Sequence, residues 1–344
     1  MQVGTGMMTT ETQAEDRRGA EELAEGLARS MEGLREQLGR VLVGQEETVS
    51  QLIVTLLAGG HALLAGVPGL GKTLLVKSLA RLLSLSFSRI QFTPDLMPAD
   101  IVGTEVMQSD EAGNRSFRFV PGPVFAGLVL ADEVNRTPPR TQAALLEAMG
   151  EGHVTAGGRT YPLERPFFVL ATQNPLELEG TYPLPEAQLD RFMLNVVLDY
   201  LPLADEVRMV RETTAATQAE LTPVLSGEEL LAYQRLVRQV PVSGAVAEFA
   251  VRLCASTRPG TPLSGARVTE LVKWGAGPRA SQALVLAGKA RALLSGRLAV
   301  SEEDIRALAL PVLRHRVIMN YRAEAEGVDA TGLLTGLLAA APSC

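Results

Sequence analysis

Eight consecutive residues, Gly66-Val67-Pro68-Gly69-Leu70-Gly71-Lys72-Thr73, have the types and spacing to hold a phosphate. The glycines let the backbone curl with its N–H groups pointing inward, which makes an anion-binding concavity. A helix opening directly behind the loop adds its positive end. Lys72 then reaches the β- and γ-phosphates of a nucleotide, and the Thr73 hydroxyl is placed to ligate Mg²⁺. The candidate nucleotide-binding residues are Gly66, Pro68, Gly69, Leu70, Gly71, Lys72, Thr73 and Leu74. A glycine-rich turn could also merely cap a helix. The flanks argue against that: apolar Ala62-Leu63-Leu64-Ala65 precedes the loop, and Leu74 to Ala80 follows with helical spacing. Strand, glycine loop and helix are the context in which such a loop binds phosphate.

A phosphate loop predicts nucleotide binding; hydrolysis needs more. Asp132 and Glu133 end the apolar run Leu128-Val129-Leu130-Ala131. The first carboxylate is placed to hold Mg²⁺ through water, the second to orient and deprotonate an attacking water. Asn174 ends another apolar run, Phe167 to Thr172, where a neutral amide can hold the lytic water or the γ-phosphate. Two arginines complete the set: Arg191, in Gln188-Leu189-Asp190-Arg191-Phe192, and Arg279, in Gly277-Pro278-Arg279-Ala280-Ser281. Taken singly, each reads equally as a surface charge or an aspartate partner. Near a transferring phosphoryl group, an arginine neutralises charge that spreads in the transition state.

These groups need a scaffold. The chain has 344 residues, enough for two domains and a sizeable core. Hydrophobic residues make up 46% and aromatics 4%, so Leu, Val and Ala must fill that core. The net charge is −7 and the pI near 5.3, which argues against broad nucleic-acid binding. Cys254 and Cys344 have no metal-site spacing and fit a reduced compartment. The three histidines are scattered, so no histidine metal site is expected. The N-terminus has no apolar signal-like stretch, and the longest apolar region, about 52–67, is broken by Thr55, Gly59, Gly60 and His61. A soluble cytoplasmic protein with no membrane insertion is the expectation.

Residues 1–18 are polar and predict disorder. Leu23, Leu27, Met31, Leu34 and Leu38 predict a helix over 20–42, and a second follows from Glu46 to Leu57. Strand and helix signals then alternate to about residue 200, which predicts a parallel sheet covered on both faces. Two hairpins interrupt it. One spans about 103–119 around a polar Asn/Gly turn, and the other turns at Gly157-Gly158. Beyond 204 strand signals nearly vanish; helices are predicted over 226–239, 245–256, 268–274, 281–295 and 301–315. The predicted division is a disordered 1–18, an α/β core with its N-terminal helix over 19–200, a linker over 201–225 and an all-α domain over 226–344.

With these residues in hand, the chain resembles AAA+ ATPases of the MoxR family. The similarity covers about 30–320. It rests on the phosphate loop, the run Leu128 to Arg136, the run Ala171 to Pro175, Gln91 to Asp100, and the two arginine segments. The resemblance implies a P-loop NTPase core with a parallel sheet between helices, a helix-2 insertion, a hairpin and an α-helical lid. It implies ATP and Mg²⁺ at the boundary between copies in a homo-oligomeric ring, commonly a hexamer. Val43 and Gly44 would lie near the adenine. Asn174 would be sensor 1, Arg279 sensor 2, acting on its own or a neighbour's nucleotide, and Arg191 the arginine finger of the neighbour. Residues 103–118 and 153–161 would face the central pore. It further implies chaperone-like remodelling of a partner, together with a separate von Willebrand factor A domain protein. A nucleic-acid motor and a metal-chelatase ATPase subunit share the architecture. The first would need basic pore loops, and Arg115, Arg118 and Arg159 offer few.

Overall fold

The computed structural model describes residues 10–67, 69–109, 114–174, 180–214 and 220–341. Its first helix, α1 (Thr10–Gly39), begins inside the segment expected to be disordered and extends the predicted helix toward the N-terminus. Helix α2 (Glu46–Leu57) leads into β1 (Ala62–Ala65), and the phosphate loop joins β1 to α3 (Lys72–Leu82). Strand β2 (Phe87–Gln91) follows, then the short α4 (Pro98–Val102), the hairpin β3 (Gly103–Ser109) and β4 (Arg115–Pro121), and the buried strand β5 (Leu128–Asp132). Helix α5 (Pro139–Glu151), the hairpin β6 (His153–Ala156) and β7 (Arg159–Pro162), and β8 (Phe168–Gln173) come next. The one-turn α6 (Glu186–Leu189) and β9 (Leu194–Val197) complete the α/β part.

The five core strands pair in the order β2-β5-β8-β1-β9, and every pairing is parallel. Alternate strand residues point to opposite faces. Leu64, Leu128, Leu130 and Leu170 enter a core shared with α1, α2 and α3. Leu63, Val129, Ala131, Val169 and Ala171 enter a second core with Leu145 and Leu146 of α5. Burial on both faces explains why these strands read as continuous apolar runs rather than as alternating ones.

The two hairpins stand together. Gly157 and Gly158 take φ of +56° and +75°, as a two-residue hairpin turn requires. Phe119 of β4 stacks on Tyr161 of β7 at 3.9 Å between ring centres. Cross-strand partners Met107 and Phe117 are exposed on the first hairpin.

The segment expected as a linker, 201–225, contains helix α7 (Leu203–Thr213). The helical part then comprises α8 (Gly227–Gln239), α9 (Gly244–Ser256), α10 (Ala266–Leu271), α11 (Pro278–Leu294), α12 (Glu302–Leu313), α13 (Tyr321–Ala325) and α14 (Ala330–Ala340). Its Ser226 and Ser301 N-caps are both capping boxes. One predicted helix, 268–274, ends early. Val272 to Trp274 instead forms β10, antiparallel to β11 (Ile318–Met319). Val and Trp favour an extended partner-bound strand once one is available. The helical part is not hinged off: Leu284, Leu308 and Val312 share one apolar cluster with Leu52 and Leu57 of α2.

Candidate active site

The carboxyl ends of β2, β5, β8 and β1 lie side by side, where open α/β sheets bind ligands. The phosphate loop leaves β1 at that edge. A Cβ on Gly66 would stand 2.7 Å from the Leu198 carbonyl oxygen, so no side chain fits there. Gly69 and Gly71 have φ of +90° and +74°, left-handed values that favour glycine. Gly71 caps α3 without a side-chain hydrogen bond, and the first turn of α3 carries no acid. The positive end of the α3 dipole therefore favours an anion. Lys72 Nζ donates to the Gly66 carbonyl, folding the ammonium back over the loop. Pro68 lies outside the described residues; Thr73 is half-buried and Leu74 exposed.

The loop's outer side is fixed by a residue that sequence reasoning missed. Gln45 Nε2 donates to the Leu70 carbonyl at 2.9 Å. Its neighbours Val43 and Gly44, expected near the adenine, flank this contact. Val43 is buried, and Gly44 packs against Leu201, just before α7, and Asp205, in its first turn.

The acids sit on the next strands. Thr172 Oγ1 donates to Asp132 Oδ1 at 2.6 Å and accepts from the Glu133 N–H at 2.8 Å. Arg89 approaches Asp132 Oδ2 with Nη2 at 2.6 Å and Nε at 3.1 Å. Glu133 has φ +58° and ψ +49°, a left-handed conformation uncommon for a non-glycine residue and costing about 1–3 kcal/mol. That turn swings its carboxylate toward Gln91, whose Nε2 donates to Oε2 at 3.0 Å, and toward Arg136 at 3.2 Å. Asn174, buried, follows Gln173, whose carbonyl accepts from the Gly66 N–H at 3.3 Å. The structure thus brings Lys72, Thr73, Asp132, Glu133 and Asn174 to one edge of the sheet.

Arg191 and Arg279 are elsewhere. Both line a cleft at the amino end of the strands with Gly60, Gly150, Asp190 and Arg316. Arg191 Nη1 donates to the Leu146 carbonyl of α5 at 2.5 Å, and its guanidinium occupies the space that a side chain at Gly150 would fill. Four strand residues separate this end of β9 from the other, about 13 Å at ~3.3 Å each. Neither arginine reaches the phosphate loop of its own chain.

The aspartate beside Arg191 has another partner. Arg316, 3% exposed, pairs with Asp190 Oδ1 at 2.8 Å and donates to the Phe192 carbonyl at 2.7 Å and the Met193 carbonyl at 3.1 Å. Arg316 anchors the segment that carries Arg191, and no sequence signal marked it. His61, on the wall of the cleft, is a structural residue. Its Nδ1 accepts from the Val169 N–H at 3.0 Å, and burial lowers its pKa to about 4, so the ring is neutral. Among the described residues no cluster of three or more His, Cys, Asp or Glu side chains could hold a metal. No described helix is long and apolar enough to cross a membrane.

Comparison with known proteins shows the family and the fold. The model of the ATPase family associated with various cellular activities (AAA) matches residues 61–194, and an AAA lid domain model matches 264–334. Chaperone MoxR1 of Mycobacterium tuberculosis is 42% identical over 309 residues, covering 89% of this chain and 81% of its own length. Protein MoxR of Paracoccus denitrificans is 33% identical, covering 82% of this chain and 87% of its own. The crystal structure of a candidate ATPase from Cytophaga hutchinsonii superposes with a TM-score of 0.87 at 40% identity, covering 94% of this chain and 98% of that one. The chain belongs to the MoxR family of AAA+ ATPases.

Proposed function

We propose that this chain hydrolyses ATP at a site completed by a second copy, within a head-to-tail ring, and uses the energy to remodel a partner protein. The observation that carries the reading is the separation of the two halves of the site. Lys72, Thr73, Asp132, Glu133 and Asn174 gather at the carboxyl edge of the sheet, while Arg191 and Arg279 share a cleft at the amino edge. A heterologous contact brings one chain's arginine edge to the next chain's phosphate edge, and repetition closes a ring. In this reading the core takes residues 19–200 and the lid 226–344, in a ring of six.

Within such a site Lys72 neutralises the β- and γ-phosphates, and the glycine loop orients them through backbone N–H groups. Thr73 and Asp132 supply hard oxygen donors that suit Mg²⁺. Those two residues would hold the ion, which would supply positive charge to offset the negative charge that develops on the transferring group. Glu133, held by Gln91, takes the proton of the attacking water. Asn174 holds that water in line, and Arg191 and Arg279 of the neighbour stabilise the transferring group.

The remodelling reading draws on a relative named Chaperone MoxR1. The exposed Met107–Phe117 pair also suits an apolar polypeptide better than a phosphate backbone. A separate von Willebrand factor A domain protein in the cytoplasm is the expected partner. The test is ATPase rate per chain against protein concentration. A site shared between copies gives a specific activity that rises with concentration and plateaus on assembly. A specific activity independent of concentration, in a chain that sediments as a monomer, would contradict the reading.

A further inference from the structure

Helix α7 has eleven residues and none of them is buried. A helix this short is marginal in water on its own, and packing of an amphipathic face normally holds it. Leu203, Val207 and Val210, at i, i+4 and i+7, form such a face, with exposures of 78%, 52% and 50%. Tyr200, just before the helix, is equally open. Among the described residues nothing covers this stripe.

A second exposed apolar group, on β10, lies near the amino end of β9, while α7 follows its carboxyl end. Trp274 is 68% exposed. It lines a cleft with Lys273, Glu186, Gly277, Asp190 and Arg316. Asp190 and Arg316 also line the arginine cleft, so the two clefts share this ion pair as a common wall. Helix α7 leaves the carboxyl end of β9 and packs by Asp205 and Leu201 on Gly44, beside the phosphate loop. The Asp190–Arg191 segment enters β9 at its amino end. The two patches therefore flank opposite ends of one edge strand.

We propose that the α7 stripe of one copy receives Trp274 of the next. The inference rests on the head-to-tail reading above, which brings the arginine edge of one chain onto the phosphate edge of another. Neighbours in a ring of six are related by a rotation of only ~60°, so like edges stay roughly aligned and opposite ends of neighbouring β9 strands meet. An indole against Leu and Val is the kind of anchor that dominates such contacts. Lys273, next to Trp274, would approach Glu206 in the first turn of α7, where Asp205 is already paired with Arg208 at 3.5 Å. The contact would couple assembly to the nucleotide, because Asp205 of α7 lies against Gly44, the residue expected near the adenine.

The chain has a single tryptophan, so its fluorescence reports this contact directly. The experiment follows Trp274 emission and sedimentation of the full chain together, over a concentration series with Mg²⁺ and ATP. Emission is expected to shift to shorter wavelength in step with assembly. Val207→Asp, at an exposed position, is expected to keep its far-UV circular dichroism and to raise the concentration needed for assembly at least tenfold. Assembly with unmoved emission, or normal assembly of Val207→Asp, overturns the contact while leaving the shared-site reading intact. A chain that stays monomeric at every concentration overturns both.

Discussion

Gln91 and Glu133, 42 residues apart in sequence, meet at the ends of adjacent strands, where the amide donates to the carboxylate at 3.0 Å. The contact holds a glutamate whose backbone is already in a left-handed turn. In the proposed mechanism, Gln91→Ala releases the carboxylate from the position in which it would meet water. Its kcat should fall about tenfold, ~1.4 kcal/mol, with KM for ATP nearly unchanged. Steady-state kinetics distinguish this from a binding defect; an unchanged kcat would make the contact incidental.

Lys72 is the counter-charge of the loop. Lys72→Ala should weaken ATP binding by roughly 10–100-fold, the range expected when a hydrogen bond to a charged group is lost. Isothermal titration measures it. Equal affinity in the variant would remove the phosphate role from the loop.

Nucleic acid should bind poorly. The chain carries −7 net charge, and the described part of the first hairpin offers Arg115 and Arg118 beside Glu105. Fluorescence anisotropy with single-stranded DNA near ~0.15 M salt should show no binding below about 1 μM. Tighter binding, or strong stimulation of the ATPase by single strands, would favour a motor.

The lid has an acid-sensitive joint at Asp304, fully buried and paired with Arg291 and Arg297. Burial pushes its carboxyl up, but Arg297, the Ser301 N–H and Arg291 outweigh that and bring the pKa down to about 2. The folded value lies below the unfolded one, near 3.9. The stabilisation is therefore complete above about pH 4 and is lost as pH falls from there to about 2. Asp304→Asn should cost about 2 kcal/mol at pH 7, discounted because both arginines are partly solvated. Urea unfolding of the two proteins should converge at low pH; equal midpoints at pH 7 would refute the joint.

The placement of the candidate site at the strand ends was legible in the sequence because neighbouring residues define it. The phosphate loop, the Asp132-Glu133 pair and Asn174 each follow a buried apolar run, and a run of that kind predicts a strand. The sequence also predicted the parallel sheet and both hairpins. What stayed hidden depends on long-range pairing. Arg316 lies 126 residues from Asp190, and Gln45 lies 25 from Leu70. Neither belongs to a local pattern. Helix α7 falls in the segment expected as linker, although Leu203, Val207 and Val210 lie at helical spacing there; the stripe is short and none of it is buried. The strand β10 was read as helix because its partner, β11, comes more than 40 residues later.

The central claim is that Arg191 serves a neighbour's nucleotide, and mixing two dead variants tests it most directly. An arginine finger supplied in trans is worth roughly 10³–10⁵ in rate, so Arg191→Ala alone should be nearly inactive. Glu133→Gln should be as well, while still binding ATP. In rings reassembled from equal amounts, about a quarter of the boundaries pair an intact Glu133 with an intact Arg191. ATPase activity should return on mixing, peak near equal ratios and depend on total protein concentration. Confirmed exchange of subunits with no activity at any ratio would contradict the account.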